Sequence, residues 1–235
     1  MLLLSVVYLL AVLPCRAAEK YAKAQPVELT KDGRHWTEQT LKKLSLEEKV
    51  GQMLCVRYYM DFENFDGDAY HKFRDELQKY HIGSVLLTVR VDGPFLLKSP
   101  PLEAAAMTNQ LQHDSKLPLL IAADFERGLT MRMNAVPTFP DAMAFAATGN
   151  RSNAERFGAI VAEESRAVGI HWNFFPIADV NSNPNNPIIN TRSYGEDPGT
   201  VGLFAAAFIK GARANGMLTT AKHFPGHGDT GTDSH

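Results

Sequence analysis

The sequence is poor in the residues on which several common chemistries depend. Its 235 residues hold two cysteines, Cys15 and Cys55, too few and too unequally placed for a disulfide framework or a metal knuckle. It has no excess of one charge: 24 Lys and Arg stand against 26 Asp and Glu, a formal net charge of −2. Without a basic block there is nothing to draw a nucleic acid or a membrane surface. No G-x-G-x-x-G follows the first apolar run and no G-x-x-x-x-G-K-[ST] occurs, so the usual fingerprints of nucleotide binding are missing. The N-terminal stretch MLLLSVVYLLAVLPCRAA gives fourteen uncharged residues before Cys15, fewer than the roughly 20 of a spanning helix.

That stretch reads as a signal peptide over residues 1–17, with Cys15 and Ala17 as the small residues of a cleavage site, and the expected location is secreted or periplasmic. A lipid anchor on Cys15 is the alternative, although Pro14 is a poor residue before an acylated cysteine. Residues 18–43 form a leader and first helix, polar and aperiodic over 21–34, and one domain covers residues 44–235.

Within that domain, hydrophobic material recurs in regular order. The 45% hydrophobic and 21% charged content supplies a large core and excludes a disordered, collagen-like or coiled-coil chain. Ser45 and Glu48 form a capping box that predicts a helix start. Apolar runs at 53–56, 84–89, 119–123, 172–177 and 218–221 predict strands, and helical patterns lie at 68–80, 102–114, 153–168 and 198–215. In the last of these Asp197 caps, Pro198 suits the first position, Val201, Phe204, Ala205, Phe208 and Ala212 share a face, and Gly216 closes; Gly83 stops an earlier helix.

The run SVLLTV is continuously apolar, as in a parallel strand covered on both faces, and strands alternating with helices imply βαβ crossovers. Polar residues follow several different strands: Asp124 and Glu126 the third, Asp179 and Asn181 the fourth, Lys222, His223 and His227 the fifth. Convergence from many strand ends is a barrel's arrangement, whereas an open doubly wound sheet gathers its site at one switch point. The fold class is therefore α/β, a (β/α)8 TIM barrel that is incomplete, with about five of eight βα units present.

The densest constellation is Lys222-His223-Phe-Pro-Gly-His227-Gly-Asp229-Thr-Gly-Thr-Asp233-Ser-His235. It sets fixed donors at a strand end beside a glycine-rich loop that carries an acid/base pair. His223, His227, Asp233 and His235 all own zinc-compatible atoms. Pro225, Gly226 and Gly228 oppose the helix that a His-x-x-x-His ligand pair would use, and no metal or cofactor is expected. Arg192 brings a planar fork suited to paired oxygen acceptors. Asp179 reads as a tie for the backbone of its Asn/Pro-rich loop. Asp124 can accept from two sugar hydroxyls or simply pair with Arg132.

These motifs resemble glycoside hydrolase family 3. Lys222-His-Phe-Pro-Gly-His-Gly-Asp-Thr with the following Asp-Ser-His is similar to the signature of its β-N-acetylglucosaminidase branch. Arg192-Ser-Tyr-Gly-Glu-Asp-Pro and Leu46-Glu-Glu-Lys-Val-Gly-Gln-Met resemble further motifs, in family order. The resemblance implies a barrel that removes terminal β-linked N-acetylglucosamine with retention of configuration, from an amino-sugar or oligosaccharide substrate. It puts Asp124, Arg132, Arg192, Lys222 and His223 in the sugar pocket, and Asp233 and His235 as the acid/base dyad. Asp124-Phe-Glu126-Arg127-Gly128-Leu129 departs from the family's Asp-Gln-Glu-Gly-Gly-Arg: Arg127 replaces a glycine and Leu129 an arginine.

Retention calls for a carboxylate nucleophile. The resemblance places that aspartate near the end of a later strand, so the chain reads as an N-terminal portion. The rivals at this stage are a non-catalytic carbohydrate-binding barrel, a family 3 β-glucosidase and a metal-dependent hydrolase. Phosphate is an alternative acceptor to water, because a neutral histidine base repels an anion less than a carboxylate does.

Overall fold

The structure, a computed structural model, describes residues 25–233. Residues 1–17, expected to be a signal peptide, and His235 lie outside the described residues. Among the described residues no helix is long and apolar enough to cross a membrane.

Helix α1 spans Lys31–Lys43 and begins inside the stretch that looks aperiodic. The Thr30 side chain caps it by accepting from the Gly33 amide at 3.0 Å. None of its residues is buried, and its large apolar side chains Trp36 and Leu41 are exposed. Helix α2, Leu46–Gln52, has the full capping box: Glu48 N donates to Ser45 Oγ at 3.1 Å and Ser45 N to Glu48 Oε2 at 2.9 Å.

Strands β1 (Cys55–Tyr59), β2 (Ser84–Thr88), β5 (Leu120–Ala123), β6 (Trp172–Asn173) and β7 (Leu218–Thr219) form one sheet in that order, every neighbouring pair parallel. A small antiparallel hairpin, β3 (Arg90–Asp92) with β4 (Phe95–Leu97), rises from the end of β2 and carries no periodic signal in the sequence. Helices α3 (Asp68–Lys79), α4 (Pro101–Asp114), α6 (Arg151–Ala167) and α7 (Pro198–Ala214) fill the successive crossovers, and the short α5 (Ala142–Ala147) precedes α6. Spatial order follows chain order without reversal. Right-handed crossovers then place the helices on one side of the sheet, which curls as a barrel does and has no switch point. Among the described residues this sheet has five strands of that eight-stranded plan.

Strands β6 and β7 are shorter than their apolar runs because Pro176 has no amide to continue the ladder. Pairing resumes past it, with Lys222 N donating to Pro176 O at 3.0 Å and Ala178 N to Lys222 O at 2.6 Å. That second contact carries the chain ends Asp179 and Lys222–His223 up to the same level. Gly83 does not end α3 by a left-handed turn. His81 takes the positive φ of 54°, and Gly83 is required because a Cβ there would lie 2.3 Å from Gln52 O. Gly216, at φ 79°, does close α7: Met217 N donates to Ala212 O at 3.1 Å and Gly216 N to Arg213 O at 3.2 Å. The core under the site is aromatic, with Phe157, Phe175 and Phe208 all buried and the Phe175 and Phe208 rings edge to face at 4.6 Å.

Candidate active site

The residues that follow β5, β6 and β7 meet in a cavity of about 520 Å³ at the C-terminal end of the sheet. Asp124, Arg132, Arg192, Lys222, His223 and Asp233 all line it, as do Glu126, Arg127 and Asp141. Of the residues expected in the site, only His235 falls outside the described residues.

Lys222 stands at its centre. Its Nζ donates to Asp124 Oδ1 at 2.9 Å and lies 3.0 Å from Glu126 Oε1. Arg192 faces Glu126 with two parallel hydrogen bonds, Nε to Oε2 and Nη2 to Oε1, each 2.9 Å, and donates through Nη1 to Ile188 O at 2.9 Å. This is the planar fork meeting a carboxylate. Arg132 Nη2 reaches the other oxygen of Asp124 at 3.4 Å. Asp124 is thus held from both sides at the cavity wall.

Glu126 is 7% exposed. Burial on its own raises a carboxyl's pKa, but the Arg192 hydrogen bonds and the Lys222 and Arg192 charges outweigh it and hold Glu126 down at about 2. The Glu126 hydrogen bond in turn raises Arg192 above its usual value. Glu126 therefore stays ionised and fixes the directions of the two cations. Glu126 is not among the residues expected in the pocket from the sequence. The available signal was charge counting: Arg132, Arg192 and Lys222 around one Asp124 need a second anion, and Glu126 is two residues away.

Asp179 has a side chain with no exposed surface. Its Oδ2 accepts from His223 N at 3.1 Å and pairs with His223 Nδ1 at 2.6 Å, while Oδ1 accepts from His227 N at 2.6 Å. Since a carboxylate only accepts, His223 carries a proton on Nδ1. Asp179 is the backbone tie that its loop context suggested, and it also sets the His223 ring. Gly228 lets the following loop lie against the Asp179 loop, since a Cβ would sit 1.6 Å from Val180 O. Asn186 adds a second tie, donating to His227 O at 2.7 Å. His227 Nδ1 pairs with Thr230 Oγ1. Among the described residues no group of three or more His, Cys, Asp or Glu side chains is arranged to hold a metal ion.

The Glycosyl hydrolase family 3 N terminal domain matches residues 45–235. The chain belongs to this family. The Beta-N-acetylglucosaminidase/beta-glucosidase of Cellulomonas fimi is 33% identical over 212 residues, which cover 90% of this chain and 35% of that protein. Beta-hexosaminidase A of Pseudoalteromonas piscicida is 35% identical over 208 residues, 79% of this chain and 34% of that one. The chain thus spans about a third of the length of these relatives. Among solved structures, a beta-glucoside phosphorylase, BglX, bound to 2FGlc superimposes with a TM-score of 0.74 at 34% identity, covering 92% of this chain and 36% of that one. A family 3 beta-N-acetylglucosaminidase from Paenibacillus sp. str. FPU-7 gives 0.71 at 34% identity, covering 81% and 35%.

Proposed function

We propose that the protein removes terminal β-linked N-acetylglucosamine by hydrolysis with retention, and that it acts after export. The observation that carries this reading is the Asp124–Lys222–Glu126–Arg192 cluster, fixed at 2.9–3.0 Å around a cavity at the strand ends. Such a cluster is charged but balanced, which suits a neutral polyol: hydroxyls donate to Asp124 and accept from Lys222, Arg132 and Arg192. The names of two relatives, beta-hexosaminidase A and a beta-N-acetylglucosaminidase, support the amino sugar, while that of the Cellulomonas fimi relative covers both N-acetylglucosaminide and glucoside.

In the proposed cycle Asp124, Arg192, Lys222 and His223 hold the sugar. Asp233, at the cavity wall, orients His235 and raises its basicity by stabilising the imidazolium. His235 protonates the bridging oxygen as an aspartate from a later strand, which this sequence does not include, attacks the anomeric carbon. Neutral His235 then takes a proton from the water that releases the sugar, so that both displacements together retain configuration.

The test uses protein expressed from the whole open reading frame. It is expected to release 4-nitrophenol from 4-nitrophenyl N-acetyl-β-glucosaminide faster than from the β-glucoside, with the β-anomer of the free sugar seen first by NMR. His235→Ala should lose about 10²- to 10⁴-fold on substrates with poor leaving groups and much less on the glycosylation of activated aryl glycosides. Equal losses on both overturn the acid/base assignment. Sugar binding without any turnover favours the non-catalytic barrel, and a sugar 1-phosphate formed in phosphate buffer makes phosphate the acceptor. N-terminal sequencing of the exported protein checks the signal peptide.

A further inference from the structure

The β3–β4 hairpin stands on the same side of the sheet as Asp124. Residues in register across parallel strands share a face, and Arg57, Leu86 and Ala122 are so aligned. Two residues further along each strand come Tyr59, Thr88 and Asp124, on that face again. Tyr58, on the opposite face, stacks on Phe73 of α3 at 3.8 Å. The helices therefore lie behind, and the face of Asp124 looks inward across the barrel axis. The hairpin keeps this sense: the Arg90 guanidinium at its start lies over the Tyr59 ring, 4.1 Å from the centroid, and Arg90 Nε donates to Asp61 Oδ2 at 2.9 Å.

Cross-strand pairing fixes which hairpin residues follow Arg90 inward. Arg90 is opposite Leu97 and Asp92 opposite Phe95, so these four side chains share the inward face, and Val91 and Leu96 the outward one. Gly93, at φ 54°, and Pro94 make the two-residue turn, the glycine supplying left-handed backbone and the proline stiffening the tip. The far limb is tied to the cavity wall. Ser99 N donates to Arg132 O at 3.3 Å, Asn134 N to Ser99 O at 3.1 Å, and Lys98 Nζ to Thr130 O. Arg132 lines the cavity, and Phe95 is four extended residues from Ser99, about 13 Å. An inward aromatic ring, 68% exposed, thus stands beside the rim of the sugar cavity. The carboxylate next to it, Asp92, has no side-chain hydrogen bond among the described residues.

A pyranose ring suits this pair. Its C–H face is apolar and sheds water against an aromatic ring, while its hydroxyls donate to a carboxylate. We propose that the inward face of the hairpin, with Phe95 as its platform, is the subsite for the sugar on the leaving side of the scissile bond. The inference rests on the glycosidase reading and adds to it where the rest of an oligosaccharide lies. Carbohydrate is the occupant because this face opens on the side of the sheet that holds the cavity and joins it through Ser99 and Arg132.

The test compares, in the full-length protein, N,N′-diacetylchitobiose with methyl N-acetyl-β-glucosaminide, whose leaving group is too small to cover a ring. The ratio of kcat/KM, disaccharide over methyl glycoside, is measured in wild type, Phe95→Ala, Phe95→Tyr and Val91→Ala. It should fall about tenfold in Phe95→Ala, the upper end of what one aromatic contact contributes. It should hold in Phe95→Tyr, which keeps the ring, and in Val91→Ala, which trims the outward face. An unchanged ratio in Phe95→Ala overturns the proposal. So does an equal fall in Val91→Ala, which would make the hairpin's fold rather than its ring the cause.

Calorimetric binding of the sulfur-linked analogue of chitobiose, which resists hydrolysis, against N-acetylglucosamine decides the matter independently of turnover. Wild type should bind the disaccharide more tightly, and Phe95→Ala should weaken that sugar alone. This result supports the subsite even where hydrolysis is absent and the glycosidase reading fails. A wild type that binds the disaccharide no more tightly than the monosaccharide overturns the proposal, as does equal weakening of both sugars. A lowered Tm in Phe95→Ala with unaltered sugar ratios also overturns it, because another part of the protein then covers this face.

Discussion

Glu48 and Glu126 sit at opposite ends of the sheet, and both carboxyls are held at about 2. The causes differ. Glu48 lies at the N-terminal end with its side chain 17% exposed, pulled down by its hydrogen bond with Lys116, at 2.7 Å, and by the Ser45 amide. It borders a cavity of about 450 Å³ whose lining includes Leu44, Gln52 and His113. Burial of Glu126 works the other way, and two cations must overcome it. The contrast teaches that a depressed carboxyl does not by itself mark a reaction centre. At the lower end Glu48 caps the start of α2 and its pair with Lys116 ties a loop to it. At the upper end a buried anion aligns Arg192 and Lys222, whose charges converge from separate strand ends on one cavity, as the C-terminal face of a barrel requires.

The sharpest way to break this comparison is to remove the lysine from each end. Lys222→Ala takes the partner from both Asp124 and Glu126 and leaves a buried carboxylate half compensated. On the proposed function kcat/KM should fall about 10³-fold or more, since pocket positioning and charge are lost together. Lys116→Ala removes an equally short ion pair, 2.7 Å, from a side chain 75% exposed. Steady-state kinetics on the aryl N-acetylglucosaminide should place it within about twofold of wild type, exposed pairs being worth little. Comparable losses in the two variants would dissolve the distinction between the ends.

A smaller effect separates the two carboxylates through pH. The Glu126 carboxyl falls from 4.5 to about 2 on folding, so the ionised form is favoured by the native state. That stability is complete above pH 4.5 and drains away as pH falls through 2. Its size is about 3 kcal/mol, two to three pKa steps of some 1.4 kcal/mol each. Urea midpoints followed from pH 7 to 2.5 should show this acid limb, and Glu126→Gln should flatten it while lowering stability at neutral pH. In the same titration Glu48→Gln should change the limb less and lose its effect in high salt.

How much of this was legible in the sequence depended on how local each cause was. The α2 and α7 caps were readable because Ser45 with Glu48, and Asp197 with Pro198, act within one turn. The strand order followed from regular alternation, and six residues that the family resemblance put in the site, Asp124, Arg132, Arg192, Lys222, His223 and Asp233, line one cavity. Helix α1 was partly hidden because none of its residues is buried and it is rich in polar residues. The β3–β4 hairpin was missed because three-residue strands with exposed Val91, Phe95 and Leu96 offer no alternation to count. Glu126 was overlooked because its role comes from partners 66 and 96 residues further along, Arg192 and Lys222. Gly83 and Gly228 were read as local stops or loop residues, but what fixes them is backbone from elsewhere, at Gln52 and Val180.

The least effect belongs to Ser45→Ala, and it sharpens the comparison from the lower end. The serine hydroxyl accepts from Glu48 N at 3.1 Å, and its own amide donates to Glu48 Oε2 at 2.9 Å. Losing the hydroxyl leaves one orphan amide of the first turn to water and loosens the reciprocal half of the box. The expected cost is about 1 kcal/mol, read as a shift in the denaturation midpoint with an unchanged slope. Glu48 keeps Lys116, so the ion pair persists. Helix α2 ends at Gln52, where Gly83 packs against its last carbonyl, so the frayed turn is separated from the sheet's upper end by the length of β1. Activity should therefore be unaltered while stability falls. A loss of kcat/KM in Ser45→Ala at full folding would show that the lower end transmits strain along β1 into the cavity, and that the two ends do not work independently.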